Sequence, residues 1–442
     1  MAKYCGIDFG TSNSVVTILG DTDETPRVVR EPSLMYFADD PESTARRHCG
    51  RAALERYVHG GMNGRFFQSV KSILPDAGFT RTSINGKPFS VEDLVAVMLR
   101  YLRDLACDLA GSDVRQAVIG RPARFSDDPA REALAQERLA RAVAQAGFEN
   151  VEYVFEPVAG ARAYTACFAG GVPWATQRTG VAEDAAHGNT GSLTVFVADH
   201  GGGTSDFTVM RLAIDRSGRP AAQEILGTHG IRAGGDDFDG AIMWNRLVDQ
   251  FGHGSHYESF DRMLPVPVHI YHIISHWDQI HFLKTLSYRE ELRTYLRSSD
   301  NPLAIRRLIK LVEENLGYFV FQAIERAKIE LSSQAESVVA YERDKLRIHE
   351  PVSRSQFETY IADYVARIDA AVEQTMSTVP ARAGTGPQVD AVFVTGGSGR
   401  VPAIREVLAR RFGAERIIDD ADRFQSVGLG LALVARDRGL AN

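Results

Sequence analysis

Two stretches of this chain repeat one another. CGIDFGTSNSVVTI at 5–18 and VADHGGGTSDFTVM at 197–210 each run an apolar segment into Asp, one or more Gly and Thr-Ser, and then resume apolar alternation. Asp8 matches Asp199, Thr11 matches Thr204, Ser12 matches Ser205 and Asn13 matches Asp206, with the second turn two residues longer. One such turn would mean little, because Asp-Gly turns join many hairpins. Two in the same order point to a duplicated fold whose turns face each other. Glycine lets backbone N–H groups converge on one concave space and lets an anion come close. The Thr hydroxyls add donors, and an Asp opening each turn can hold a magnesium ion through its water shell. Paired turns of this kind would grip a polyphosphate from both sides.

The rest of the chain alternates strand and helix signals around these hairpins. Residues 4–9 and 14–19 read as strands of the first, and 193–214 as the second. The stretch 91–109 repeats apolar residues at helical spacing, and Leu139, Ala142, Val143 and Ala146 form a second stripe before Gly147. VRQAVIGRP at 114–122 is a strand stopped by Pro122, and VEYVFEPVAG leads from a strand through Glu156-Pro157 into a helix. The stretch 170–192, rich in Gly and Thr and without period, reads as a long loop between two lobes. Residues 234–251 read as a turn and a helix, and 252–320 as irregular helix. VDAVFVTGG at 389–397 is a strand, VPAIREVLARRFG a helix with Pro402 in its first turn, and 424–437 a last helix.

Composition narrows the class. With 442 residues, two domains are expected; 44% apolar and 24% charged residues describe a globular protein. A net charge of −7 argues against nucleic-acid backbone binding. No apolar run approaches the roughly 20 residues that span a bilayer. Cys5, Cys49, Cys107 and Cys167 stand far apart without a C-x-x-C pair, which suits a reducing compartment. With no basic-then-apolar leader before YCGIDF, a cytoplasmic address is expected.

GIDFGTSNS, DHGGGTSDF, GGDDFD, ERAKIELSS and VTGGSGRVPAI follow one another as in the ATPase domain of heat-shock protein 70 (DnaK-type) chaperones, which the chain resembles over nearly its whole length. VIGRPARF and AKIELSS resemble the short YegD-like relatives. The resemblance implies the α/β, two-lobed actin-like ATPase fold, each lobe on a duplicated ribonuclease-H-like sheet, with ATP or ADP and Mg2+ in the cleft. Lobe I is expected over 1–190 with an insertion near 33–114, and lobe II over 191–427 with a helical insertion near 229–354 and an adenosine motif at 389–413. Residues 428–442 would return to lobe I.

By this resemblance Asp8 and Asp199 hold magnesium through water. Gly10, Thr11, Ser12 and Asn13, with Gly201, Gly202, Gly203 and Thr204, cradle phosphate. Lys71, in FFQSVKSIL, reaches the γ-phosphate and attacking water, and Glu156 and Asp206 help place magnesium and water. Gly234, Gly235, Glu325, Lys328 and Ser332 serve the ribose and base, with Gly396, Gly397, Ser398, Arg400 and Asp422 on the other side. By spacing alone, Glu325, Lys328 and Ser332 share one face of a helix. The implied function is a slow, magnesium-dependent ATPase of chaperone type, with an unfolded-protein or co-chaperone partner and neither nucleic acid nor membrane.

The chain departs from the pattern in places. Ile329 stands where relatives carry an arginine against the adenine. His200 replaces an apolar residue, and strand alternation turns it away from Asp199. No linker or peptide-binding sandwich follows the last helix, so peptide clamping is not expected. A small-molecule kinase of the same superfamily, or a nucleotide-gated binding or filament module, remains an alternative. Six of 12 histidines fall in 253–281, and His269, His272 and His276 have zinc-like helical spacing, though with no Cys or H-E-x-x-H nearby. A packed or partner-facing cluster is the expectation there.

Overall fold

The computed structural model describes residues 2–21, 25–39, 47–59, 64–122, 124–126, 128–168, 192–214, 220–277, 279–343, 346–379, 388–419 and 426–442. Most of the proposed 170–192 loop lies outside the described residues.

Two five-stranded sheets share one topology. In the first, Lys3–Asp8, Asn13–Gly20 and Arg27–Pro32 form an antiparallel meander. Lys3–Asp8 then pairs in parallel with Gln116–Arg121, which pairs in parallel with Asn150–Phe155. In the second, Ser192–His200, Ser205–Ile214 and Pro220–Ile231 form the meander. Ser192–His200 pairs in parallel with Ala391–Thr395, and that strand with Ile417–Asp419. The duplication written in the two turns therefore extends to whole sheets.

The strands form where their apolar runs can be buried. Cys5, Ile7, Val16 and Ile18 pack on the helix Val91–Ala110, whose Ser90 cap and Asp93 form a reciprocal capping box. The helix Pro129–Gln145 covers the same core through Ala135, Leu139 and Ala142. The helix Ser426–Asp437 lies across the strand Lys3–Asp8 and the helix Glu156–Phe168. A Cβ at Gly430 would stand 1.7 Å from the Ala159 carbonyl oxygen, so this packing requires glycine.

By internal contacts the chain forms two compact units. Met1–Arg232, Ile368–Gly399 and Glu406–Asn442 make one, which holds both sheets; Ala233–Arg367 with Arg400–Arg405 makes the other. In the second unit the segment 234–251, read as a turn and a helix, is helical after Gly234 but not one α-helix throughout. An α-helix, Gly235–Ile242, passes into a π-helical stretch, Met243–Leu247, and a 3-10 turn, Val248–Phe251. The segment 252–320 is also not helical throughout, because His256–Ser259 and Arg262–Pro265 form a ribbon. Its turn places Phe260 and Asp261 at φ 48° and 55°. Neither residue is a glycine or asparagine, so the usual hairpin signal was absent.

The histidines do not share one helical face. The helix Val268–Ile274 stops before His276; His272 stacks on Trp244 at 4.3 Å, and His269 tilts against Tyr288. Among the described residues no helix is long and apolar enough to cross a membrane.

Candidate functional site

The site assembles where strands end. Asp8 is the last residue of Lys3–Asp8, and Asp199 faces Asp206 directly across the second hairpin. Glu156 opens its helix as the strand Asn150–Phe155 stops. Lys71 comes from the 3-10 turn Val70–Ile73, and its Nζ donates to Glu156 Oε1 at 2.6 Å. Their side chains are only 8% and 12% exposed, so the pair is shielded from water.

Three residues outside the expected set fix this lysine. Ser69 adopts a left-handed φ of 57°, and its N–H donates to the Ser33 carbonyl at 3.3 Å. Ser33 also ties down the first hairpin, donating its hydroxyl to the Gly10 carbonyl at 2.7 Å and its N–H to the Ser12 carbonyl at 2.9 Å. The buried Arg138 guanidinium donates to the carbonyls of Leu74, Asp76 and Phe79 at 3.0, 2.8 and 3.1 Å. No pattern in the sequence marks Ser33, Ser69 or Arg138, since each acts through distant backbone.

In the second turn the Gly201 N–H donates to the Thr204 carbonyl at 2.8 Å, and the Thr204 hydroxyl to Asp206 Oδ2 at 3.1 Å. The buried His200 ring sits 2.9 Å from the Ser205 hydroxyl and edge-on to Phe207, a structural role, and burial lowers its pKa to about 4. The two turns approach each other: a Cβ on Gly203 would lie 3.9 Å from the Thr11 methyl.

The electrostatics are strongly one-sided. Asp8, Asp199 and Asp206 keep some open surface but are closely surrounded by protein. Burial, then Glu156, pushes Asp8 well above the carboxylate range against the pull of Lys71. Burial and Glu156 raise Asp199 to about 6, opposed by the Thr395 hydroxyl and Lys71. Burial, Asp199 and Glu156 raise Asp206 to about 7. Burial alone would lower Lys71, but Glu156 and Asp8 outweigh it and hold the ammonium above its usual pKa.

Four carboxyl groups thus surround one ammonium, a centre that favours an added cation. The Ser12 and Thr395 hydroxyls are buried and make no hydrogen bond among the described residues. Hard carboxylate oxygens beside free hydroxyls suit magnesium with its waters and an oxygen-rich anion. Among the described residues no three His, Cys, Asp or Glu side chains are grouped to hold a metal directly.

A family model described as Hsp70 protein matches residues 37–262 and 316–436. The chain belongs to the Hsp70 family. Two relatives, each a "Chaperone protein DnaK" from a strain of Thermus thermophilus, are 27% identical over 451 aligned positions, covering 94% of this chain. The chain spans 58% of the length of these curated relatives. With family membership, the paired sheets are those of the two-lobed, actin-like ATPase fold.

In this Hsp70-family chain the base-side candidates are divided between the two units. In the first, Gly396 follows the strand Ala391–Thr395 at φ 78°, Gly397 begins a 3-10 turn, and the Ser398 hydroxyl donates to the Gly201 carbonyl at 3.2 Å. Gly234, Gly235, Glu325, Lys328, Ser332 and Arg400 belong to the second. There Gly234 precedes the helix Gly235–Ile242 and bonds Asp237 through its N–H.

Lys328 and Glu325 do not share an orientation. Lys328 is buried, donating to Asp239 Oδ2 at 2.8 Å and to the Gly235 carbonyl at 3.0 Å, while Glu325 and Ile329 face outward. Ser332 is half-buried. Asp239, the last residue of GGDDFD, was not among the expected site residues, although the motif spelled it out. Asp422 lies outside the described residues.

Proposed function

We propose that the chain binds ATP with magnesium and hydrolyses it slowly, as the ATPase module of an Hsp70-type chaperone. The observation that carries this reading is the Lys71–Glu156 pair set among Asp8, Asp199 and Asp206, where the two glycine turns meet. In this reading each sheet anchors one lobe, 1–190 and 191–427, with 428–442 returning to the first.

The turn amides around Gly10 and Gly201–Gly203, with Thr11, Ser12, Asn13 and Thr204, bind the phosphates. Lys71 moves from Glu156 toward the γ-phosphate and stabilises charge there. Bound magnesium would supply charge neutralisation and ordered water, and Asp8 and Asp199 are the groups to hold its shell. Glu156 and Asp206 orient the attacking water, and the proton passes to Asp199, Asp206 or the phosphate. Catalysis of this kind is mostly positioning and electrostatics. Gly396, Gly397 and Ser398 in the first unit, and Gly234, Gly235, Glu325, Lys328, Ser332 and Arg400 in the second, are each candidates for nucleotide contact, as is Asp422. Action on an unfolded protein or with a co-chaperone, in the cytoplasm, belongs to the same proposal.

Thermal unfolding with and without Mg-ADP tests binding, because a ligand held only by the folded state stabilises it by about 2.7 kcal/mol at 100 times its Kd. An unchanged melting temperature removes the nucleotide. Phosphate release without phosphorylation of added sugars supports the ATPase; a phosphorylated sugar would instead make the chain a kinase.

A further inference from the structure

The strand beside Asp199 carries a hydroxyl with no assigned task. Thr395 ends Ala391–Thr395 and pairs in parallel register with Asp199. Paired residues of neighbouring strands project to the same face, so these side chains lie side by side, opposite to His200. The helix opened by Glu156 packs over them, since a Cβ on Gly160 would sit 3.9 Å from the Thr395 methyl. Thr395 therefore fills the space between Asp199 and the Glu156 helix.

It is 5% exposed, and its hydroxyl forms no hydrogen bond with any described residue. The hydroxyl is near enough to favour a charged Asp199, yet it makes no geometrically formed hydrogen bond to it. A buried donor without an acceptor costs stability, and valine would give the same packing without that cost. The chain carries the donor all the same, beside a carboxylate that has Lys71, Glu156, Asp8 and Asp206 as charged neighbours.

We propose that Thr395 is a positioning residue: in the nucleotide-bound protein its hydroxyl donates to Asp199 and fixes the orientation in which that carboxylate works. The inference rests on the proposed nucleotide site. It requires Thr395 to be costly in the empty protein and useful in the loaded one, two effects that a packing role would not combine.

Thr395→Val and Thr395→Ser test it. The nucleotide-free Val variant should melt about 1–3 °C higher than wild type, having lost an unpartnered hydroxyl. Its single-turnover hydrolysis at saturating ATP should fall about tenfold, with Mg-ADP affinity within about twofold. The Ser variant, which keeps the donor, should recover at least half the rate. A Val variant that melts lower, a Val variant with wild-type turnover, or a Ser variant as slow as Val overturns the assignment. If wild type gains no thermal stability from Mg-ADP, the nucleotide reading fails and takes this one with it. Wild type that binds and turns over, beside an equally active Val variant, removes Thr395 alone.

Discussion

The two hairpins have the same topology but different chemistry around their turns. The first turn is short and held from outside: Ser33 bonds the carbonyls of Gly10 and Ser12, and the charged pair Lys71–Glu156 is supplied by other segments. The second turn is longer and is held largely from within, through Gly201 to Thr204 and Thr204 to Asp206, with one bond from outside, the Ser398 hydroxyl to the Gly201 carbonyl. The neighbouring parallel strand differs as well. Continuing the register of Ile7 with Ile119 places Gly120 beside Asp8, where the second sheet has Thr395 beside Asp199. A Cβ on Gly120 would stand 3.2 Å from Glu156 Cγ, so the absence of a side chain there makes room for the glutamate. Duplication supplied the frame, and divergence gave one half the room for Glu156 and the other the second aspartate.

Removing the charge common to both halves should have the largest effect. Lys71 is the cation felt by Asp8, Asp199 and Asp206 alike. Lys71→Ala should cut single-turnover hydrolysis about 100-fold or more, the effect of losing a preorganised electrostatic group. Nucleotide affinity, held largely by backbone amides, should change less. Hydrolysis at the wild-type rate in a folded variant would strike Lys71 from the chemistry and leave it as the structural partner of Glu156.

This asymmetry also explains how much could be read in the sequence. The hairpins were legible because an Asp, Gly and Thr-Ser sequence is local and was written twice. The helices Val91–Ala110 and Pro129–Gln145 were legible from apolar period. Lys71 and Glu156 came from a family resemblance, since 85 residues separate a pair that meets at 2.6 Å. Ser33 and Arg138 left no trace, because their partners are carbonyls and any residue provides a carbonyl. The inward turn of Lys328 toward Asp239 was hidden for a related reason: helical spacing gives relative angles, while burial decides which side faces in. The ribbon at 256–265 was missed because its turn uses Phe260 and Asp261 against their local preference.

A second test makes the later hairpin more like the earlier one. Asp206 occupies the place that Asn13 fills in the first hairpin, and burial with Asp199 and Glu156 raises its pKa to about 7. A carboxyl that binds its proton more tightly when folded adds stability below its unfolded pKa, near 4, and loses it as pH rises through its folded pKa. Asp206→Asn removes that loss. The nucleotide-free variant should therefore gain on wild type between about pH 4 and pH 7, reaching at least about 2 kcal/mol by pH 8. Denaturant unfolding of both proteins across this range measures the difference. A constant difference would mean that Asp206 is not strained by its neighbours, and that the excess negative charge lies elsewhere.

The smallest expected effect separates glycines kept for the chain from glycines kept for a ligand. In the first turn, a Cβ on Gly10 would stand 2.0 Å from the Asn13 carbonyl oxygen, a backbone atom that can move only by breaking the turn. Gly10→Ala should cost about 2 kcal/mol or more whether or not anything binds. In the second turn, the nearest atom to a Cβ on Gly203 is the Thr11 methyl at 3.9 Å, an ordinary van der Waals contact. The folded chain alone gives no steric reason for glycine there. If the space between the turns holds phosphate, the added methyl intrudes on the ligand instead. Gly203→Ala should then melt within about 1 °C of wild type while binding Mg-ADP about fivefold more weakly, because only glycine lets an anion approach its amide so closely. Calorimetric titration beside a thermal melt gives both values from one preparation. Unchanged affinity would mean that the second turn does not cradle the phosphates. A lowered melting temperature would show that Gly203, like Gly10, is held by the chain itself.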